Sequence, residues 1–439
     1  MSKNFIFIFE FVSGGGFSQI DIPSSLFCEG FGMLRAIISD FKKLNFNIAT
    51  LLDYRITYLS ELLRADIIES INNKENYVKK FKKLVNNCHY CFIIAPESSN
   101  LLFNLSQIVN HKKKILLSTN IEGIKLGASK INTFELFKSK KLFTPKTYLI
   151  PYKKKSLDVD FIIQKFHKFK KPIVIKPNDG VGAESIYYFD NRDQINEFFK
   201  QNNQKIDKKR NYIIQEFIEG TDLSASLIST RHTKKFLTNH LICLSVNSQY
   251  IKIKNENYHS EYFGGSTPFE NYQQIEKKLQ KLLKIGYLSK FTGYFGIDFI
   301  RTSDNSICFI EINPRLTTSY IGLRNVIDKN IANLILDSKT NSLKSIEFNH
   351  KFHSIFTRIE LKYNRDDLNK EISNEQILKL TNKIPEIVTP PISLNNSDRF
   401  SSFIATKEKD LASSRLRLNK IIHLIQNLDF EIIKPKKIK

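Results

Sequence analysis

The chain has 439 residues, 41% hydrophobic and 25% charged, the make-up of an ordinary globular protein of about two to four domains. No apolar run approaches the roughly 18 residues of a membrane-crossing helix. The opening NFIFIFEFV is broken by Glu10 and has no small-residue cleavage site, so a cytoplasmic protein is expected.

Lys and Arg number 67 against 44 Asp and Glu, a formal net charge of +23. The lysines fall in short clusters (KKFKK near Lys80, HKKKI near Lys113, YKKKS near Lys154, KPKKIK at the end) without aromatic interleaving of a recognisable RNA-binding type. That pattern reads as a solvated surface, and a nucleic-acid partner is not expected.

In chain order, FIFIFEF reads as a strand and SGGG as a glycine turn. Leu26, Phe27, Leu34, Ile37, Ile38 and Phe41 then recur at helical spacing between Ser24 and Leu44. FNIATLLD, CFIIAP and KKILLST are further short apolar runs separated by helical segments, which predicts a parallel sheet with helices on both faces over residues 1–125. Cys88 and Cys91 form one CxxC with no second pair, so they read as small hydrophobes of a buried strand rather than zinc ligands.

The next unit is expected to span 126–340 in two halves, 126–217 and 218–340. In its first half, PIVIKPNDGVGAESIYYF is a strand, a lysine at the strand end (Lys176), a glycine-containing loop and a second strand. Asp179, Gly180, Val181, Gly182 and Ala183 can fold over phosphates, glycine permitting close backbone approach. YIIQEFIEGTDLSASLI follows as strand, acidic hinge, glycine turn and strand, with Asp222 placed for ribose hydroxyls.

GYFGIDFIR, TSDNS and ICFIEINPR read as a hairpin. A two-residue loop at Asp304-Asn305 would set Asp298 opposite Glu311 and Gly296 opposite Asn313, with Ile310 and Ile312 on the other face. Opposed carboxylates repel unless a cation lies between them. Two carboxylates and an amide without His or Cys suit Mg²⁺ or Mn²⁺, and Arg315 at the strand end suits a phosphate oxygen.

The final residues, 341–439, contain HSIFTRIEL, the Pro390-Pro391 break and a helical stripe of Leu411, Leu418, Ile422 and Ile425. They predict a small α+β appendage.

The order of these pieces resembles the ATP-grasp superfamily over about residues 1–340. The resemblance implies an N-terminal Rossmann-like domain, followed by two α+β subdomains that clamp ATP. It implies Lys130 and Lys176 as phosphate-contacting lysines, with Gln215, Glu216, Phe217 and Ile218 at the adenine hinge and Asp222 on the ribose, where the family more often has Glu. Asp298, Glu311 and Asn313 would hold Mg²⁺, and Arg315 would meet the transferred phosphate or acyl phosphate, with Lys176 beside it in the catalytic role.

FEFVSGGG, CEGFGMLRAIISDF, LSVNSQYI, YFGGSTP and EINPRLTTSYIGL are together similar to the tyramine–glutamate ligase group of methylofuran biosynthesis. That implies ligation of a small-molecule carboxylate to an amine with ATP cleaved to ADP. Gly296 stands where D-alanine ligases carry an arginine.

Glu29 reads first as a helix-surface glutamate and second as a carboxylate for a substrate ammonium. His259 and Glu261 are candidates near the acceptor, with Tyr258, Tyr262 or Phe263 as ring contacts. A different substrate pair, a catalytically silent nucleotide binder and a basic nucleic-acid-binding protein are the rival readings, and homo-oligomerisation is left open.

Overall fold

In the computed structural model, the residues described are 4–180, 185–230, 241–253, 260–283, 286–340, 347–363, 373–394 and 399–435. The first apolar strand, β1 (Phe5–Glu10), is buried almost throughout. It lies at the centre of an all-parallel sheet with β2 (Asn47–Asp53), β3 (Ile67–Ile71), β4 (Tyr90–Ile94) and β5 (Ile115–Leu116), in the order β3-β2-β1-β4-β5. Ile6 and Ile8 face one core cluster while Phe7 and Phe9 face another, so both sheet faces are covered. That is why the strand reads as continuously apolar rather than alternating.

Helix α1 (Ser24–Lys42) packs on the first of these faces. Phe27, Phe31, Leu34, Ile38 and Phe41, at alternating spacings of four and three, are fully buried.

The next sheet contains β6 (Thr147–Leu149), β7 (Ile173–Pro177), β8 (Tyr187–Phe189) and β9 (Tyr212–Glu216), in the order β8-β7-β9-β6. The chain then runs through β10 (Thr221–Ser229), β11 (Leu241–Ser248), β12 (Gly264–Thr267), β13 (Gly293–Arg301) and β14 (Ile307–Asn313). Four of these form an antiparallel sheet, β11-β10-β13-β14. The α/β and α+β class expected from the sequence is therefore present. Among the described residues no helix is long and apolar enough to cross a membrane.

The hairpin of β13 and β14 differs from expectation in two compensating ways. Asn305 takes a left-handed conformation, and the N–H of Thr302 donates to the carbonyl of Ser306, so the turn holds three residues rather than two. That extra residue would shift every pair by one. A bulge at Ile310 shifts them back: Phe299 pairs with Phe309, while Asp298 pairs with Glu311 and Gly296 with Asn313. The bulge also turns Ile310 into the cavity described below, so the expectation that it shares a face with Ile312 is corrected.

The C-terminal stretch is less separate than an appendage. Its strands β15 (Ser354–Tyr363), β16 (Ile387–Ile392), β17 (Arg399–Ala405) and β18 (Phe430–Lys434) form one sheet, and β12 pairs with β15 at its edge. Helix α1 packs on β16 and β17. There the guanidinium of Arg35 donates to the carbonyls of Ile387 and Val388, and the Thr389 hydroxyl donates to the carbonyl of Cys28.

Candidate active site

Where these sheets meet, a cavity of about 730 Å³ opens between the N-terminal unit, the β6–β9 sheet and the β11-β10-β13-β14 sheet. Its ionic end is built on the hairpin. Pairing of Asp298 with Glu311 brings two carboxylates onto one face, and the Asn313 amide donates to Asp298 Oδ2 at 2.9 Å. Gln249 donates to the other oxygen of Asp298 at 3.1 Å.

Burial, and then the charge of Glu311, pushes Asp298 well above the usual carboxylate range. Burial alone would raise Glu311 too, but the ammonium groups of Lys130 and Lys176 hold it below its ordinary value. A like-charge pair in this setting calls for cationic partners.

Two of those partners are in place. Lys130 opens a helix (Lys130–Ser139) whose first turn is capped by Ser129, and its Nζ lies 3.1 Å from Glu311 Oε2 and donates to the carbonyl of Gly180. Lys176, next to last in β7, is 6% exposed; burial lowers its pKa, while Glu311 and Asp298 pull the other way. Arg315, just past β14, donates through Nε to Glu97 at 3.0 Å. Burial works against its charge, but Glu97, Asp298 and Glu29 together raise its pKa above the ordinary arginine value.

The nucleotide candidates line the same cavity. Gln215, Glu216, Phe217 and Ile218 follow one another at the end of β9, and Asp222 sits at the start of β10. The Gln215 amide donates to Thr147 Oγ1 at 2.8 Å, Lys171 lies 3.3 Å from Glu216, and Phe217 meets Tyr188 edge-on. Burial raises Asp222 to about 6.

Asp179 has a different set of contacts: one oxygen accepts from Arg210 Nε at 3.0 Å and the other from the backbone N–H of Ser99 at 2.9 Å. It thereby ties the glycine loop to the N-terminal unit. Gly180 lines the cavity with a φ of +126°, while Val181, Gly182 and Ala183 lie outside the described residues.

Phe11, Phe17, Leu26 and Met33 add an apolar lining to the same cavity, and Glu29 lines it too. Glu29 is not the surface residue that the sequence favoured. It accepts from Thr318 Oγ1 at 3.2 Å and lies 3.6 Å from Arg358. Tyr262 lines the cavity as well, within charge range of Glu29, Asp298 and Arg315.

Glu261 alternates away to an ion pair with Lys434 at 2.7 Å, and Phe263 lies under Arg358. Tyr258 and His259 lie outside the described residues. Two glycines are dictated by this packing. A Cβ at Gly30 would lie 2.7 Å from the buried carboxylate of Glu10, and one at Gly296 would lie 2.7 Å from the Thr317 methyl, leaving no room for an arginine side chain.

Gln249, Glu97, Arg210 and Arg358 are the residues that sequence reasoning missed. Each acts through a partner far along the chain, so its role did not show even where it lies within a patterned stretch, as Gln249 does in LSVNSQYI and Arg358 in HSIFTRIEL.

Among the described residues no group of three His, Cys, Asp or Glu side chains could hold a metal ion alone. Asp298, Glu311 and Asn313 instead present a partial set of hard oxygen donors. That set fits Mg²⁺, which keeps water and takes phosphate oxygens as its remaining ligands.

Comparison with known proteins agrees with this architecture. Residues 127–319 match the ATP-grasp domain family, and residues 46–124 match the pre ATP-grasp 3 domain. The tyramine–L-glutamate ligase of Methanocaldococcus jannaschii is 26% identical over 344 residues, covering 76% of this chain and 89% of that protein.

Two solved structures share the fold. N5-carboxyaminoimidazole ribonucleotide synthetase in its ADP complex has a TM-score of 0.66 at 13% identity, covering 98% of each chain. The biotin carboxylase domain of Hydrogenobacter thermophilus 2-oxoglutarate carboxylase, solved with MgADP, ADP and bicarbonate, has a TM-score of 0.67 at 12% identity, covering 98% of this chain and 90% of that one.

Proposed function

Given that the chain belongs to the ATP-grasp superfamily and is a carboxylate–amine ligase resembling the tyramine–glutamate ligases, we propose that it joins an amino acid, glutamate, to a primary aromatic amine such as tyramine. ATP is cleaved to ADP and phosphate through an acyl phosphate. The observation that carries this reading is the placement of Asp298 and Glu311 opposite one another, beside Lys130, Lys176 and Arg315, in one cavity that also has an apolar lining.

Gln215 to Ile218 and Asp222 hold the nucleoside, while Lys130 and Lys176 reach its phosphates. Asp298, Glu311 and Asn313 would hold Mg²⁺, which would supply charge neutralisation at the phosphates. Lys176 and Arg315 neutralise charge on the transferring phosphoryl group, and in such transfers positioning and electrostatics supply most of the catalysis.

The substrate carboxylate takes the γ-phosphoryl group. The neutral amine then forms the C–N bond as the acyl C–O bond to phosphate breaks, and the amine gives up a proton. Phe11, Phe17 and Leu26 offer the aromatic amine an apolar wall, where ring contacts contribute on the order of 1 kcal/mol each.

Purified protein given ATP, Mg²⁺, glutamate and tyramine should yield ADP and the amide by mass spectrometry. Turnover with only another carboxylate–amine pair would remove the named substrates and leave the ligase chemistry. Failure of every carboxylate–amine pair to yield ADP would contradict the ligase reading.

A further inference from the structure

Arg358 belongs to the C-terminal sheet, outside the residues matched to either domain family. It is 7% exposed, yet it carries a permanent charge. A buried guanidinium is costly unless carboxylates and hydrogen bonds surround it. Here one terminal nitrogen lies 3.6 Å from Glu29 Oε1 and the other 3.6 Å from Glu360 Oε1, both within ion-pair range and longer than a good hydrogen bond.

Its Nε has no hydrogen-bond partner among the described residues. The guanidinium stands 5.5 Å from the ring centre of Phe263, whose carbonyl accepts from the Arg358 backbone N–H. Glu360 is in turn 3.8 Å from Lys434, which pairs with Glu261. A chain of alternating charges thus runs from the C-terminal strand β18 to the one of these carboxylates that lines the cavity.

We propose that Arg358 is a positioning residue for Glu29, holding its carboxylate against the cavity so that it seats the ammonium group of the amino-acid substrate. This rests on the ligase reading above. Arg358 does not line the cavity; it acts through Glu29. Its division between Glu29 and Glu360, rather than a two-pronged bond to either, places Glu29 between a fixed cation behind it and the substrate cation in front. The C-terminal segment is then part of the substrate site.

The test is a double-mutant cycle read with ATP, Mg²⁺, glutamate and tyramine. Arg358→Met should raise KM for glutamate about tenfold or more, with KM for ATP changed less than twofold. Arg358→Lys should recover most of the loss. Glu29→Gln should show a comparable rise, and the double variant should be no worse than Glu29→Gln alone, because residues acting through one another are not additive.

If Arg358→Met does not fold, the same cycle is run with Arg358→Lys, whose smaller effect should vanish in the Glu29→Gln background. Additive effects, or an unchanged KM for glutamate in a folded Arg358→Met, would overturn the proposal while leaving the ligase reading intact. Wild-type protein that makes no amide from any amine–carboxylate pair would overturn both.

Discussion

Glu311 meets three other charged groups at the ionic end of the cavity. It faces Asp298 across the hairpin, meets Lys130 at 3.1 Å, and opposes the burial that lowers Lys176. Glu311→Gln keeps the shape and removes the charge. It should leave the fold intact and lower kcat by at least about 100-fold, because the proposed Mg²⁺ site loses a charged oxygen. Lys176→Ala should weaken nucleotide binding as well as turnover, which calorimetry with ADP would read.

At this scale the sequence was legible wherever chemistry sits in a local pattern: a lysine at a strand end, or a carboxylate and an amide at alternate positions of a strand. It was not legible for Gln249, which reaches Asp298 across 49 residues, or for Glu97, which reaches Arg315 across 218. Only the fold brings such pairs together.

The hairpin shows how an element can be paired correctly for the wrong reason. Asp304 and Asn305 do sit in the turn, but the turn holds three residues, and the bulge at Ile310 cancels the resulting slip. Apolar alternation could not reveal the bulge, because Ile310 is as apolar in the cavity wall as it would be in the core.

Helix α1 gives the opposite lesson. Its buried stripe was plain, but the partner of its second face, the β16–β17 edge some 350 residues away, left no mark on the sequence. Arg35 joins the two by donating to the carbonyls of Ile387 and Val388, and burial lowers its pKa to about 10. Arg35→Ala should therefore destabilise the protein by roughly 1–3 kcal/mol, the usual cost of leaving buried carbonyls without donors. Urea denaturation would measure it, and a change below about 0.5 kcal/mol, the range typical of surface substitutions, would show that this contact contributes little.

For the molecule as a whole, the units are locked together by polar contacts at their junctions, and one of them titrates. Lys339 donates to the carbonyls of Ser118 and Thr292, joining the N-terminal unit to the start of β13, and burial lowers its pKa to about 7. Between that value and the ordinary lysine value, the unfolded chain binds the proton more tightly than the folded one. Stability contributed by this site should therefore rise with pH from about 7 to 10, by at most about 1.4 kcal/mol per unit. Lys339→Met should remove that slope, seen as a wild-type-minus-variant stability difference that grows with pH in urea titrations. A difference independent of pH would mean that Lys339 stays charged when folded.

The central claim, that ATP is spent on activating a carboxylate, is tested most directly by oxygen transfer. Glutamate labelled with ¹⁸O in its carboxylates, turned over with ATP, Mg²⁺ and tyramine, should release inorganic phosphate carrying one ¹⁸O per amide formed. That oxygen bridges carbon and phosphorus in the acyl phosphate and leaves with phosphorus when the amine attacks. Unlabelled phosphate accompanying amide formation would contradict the account.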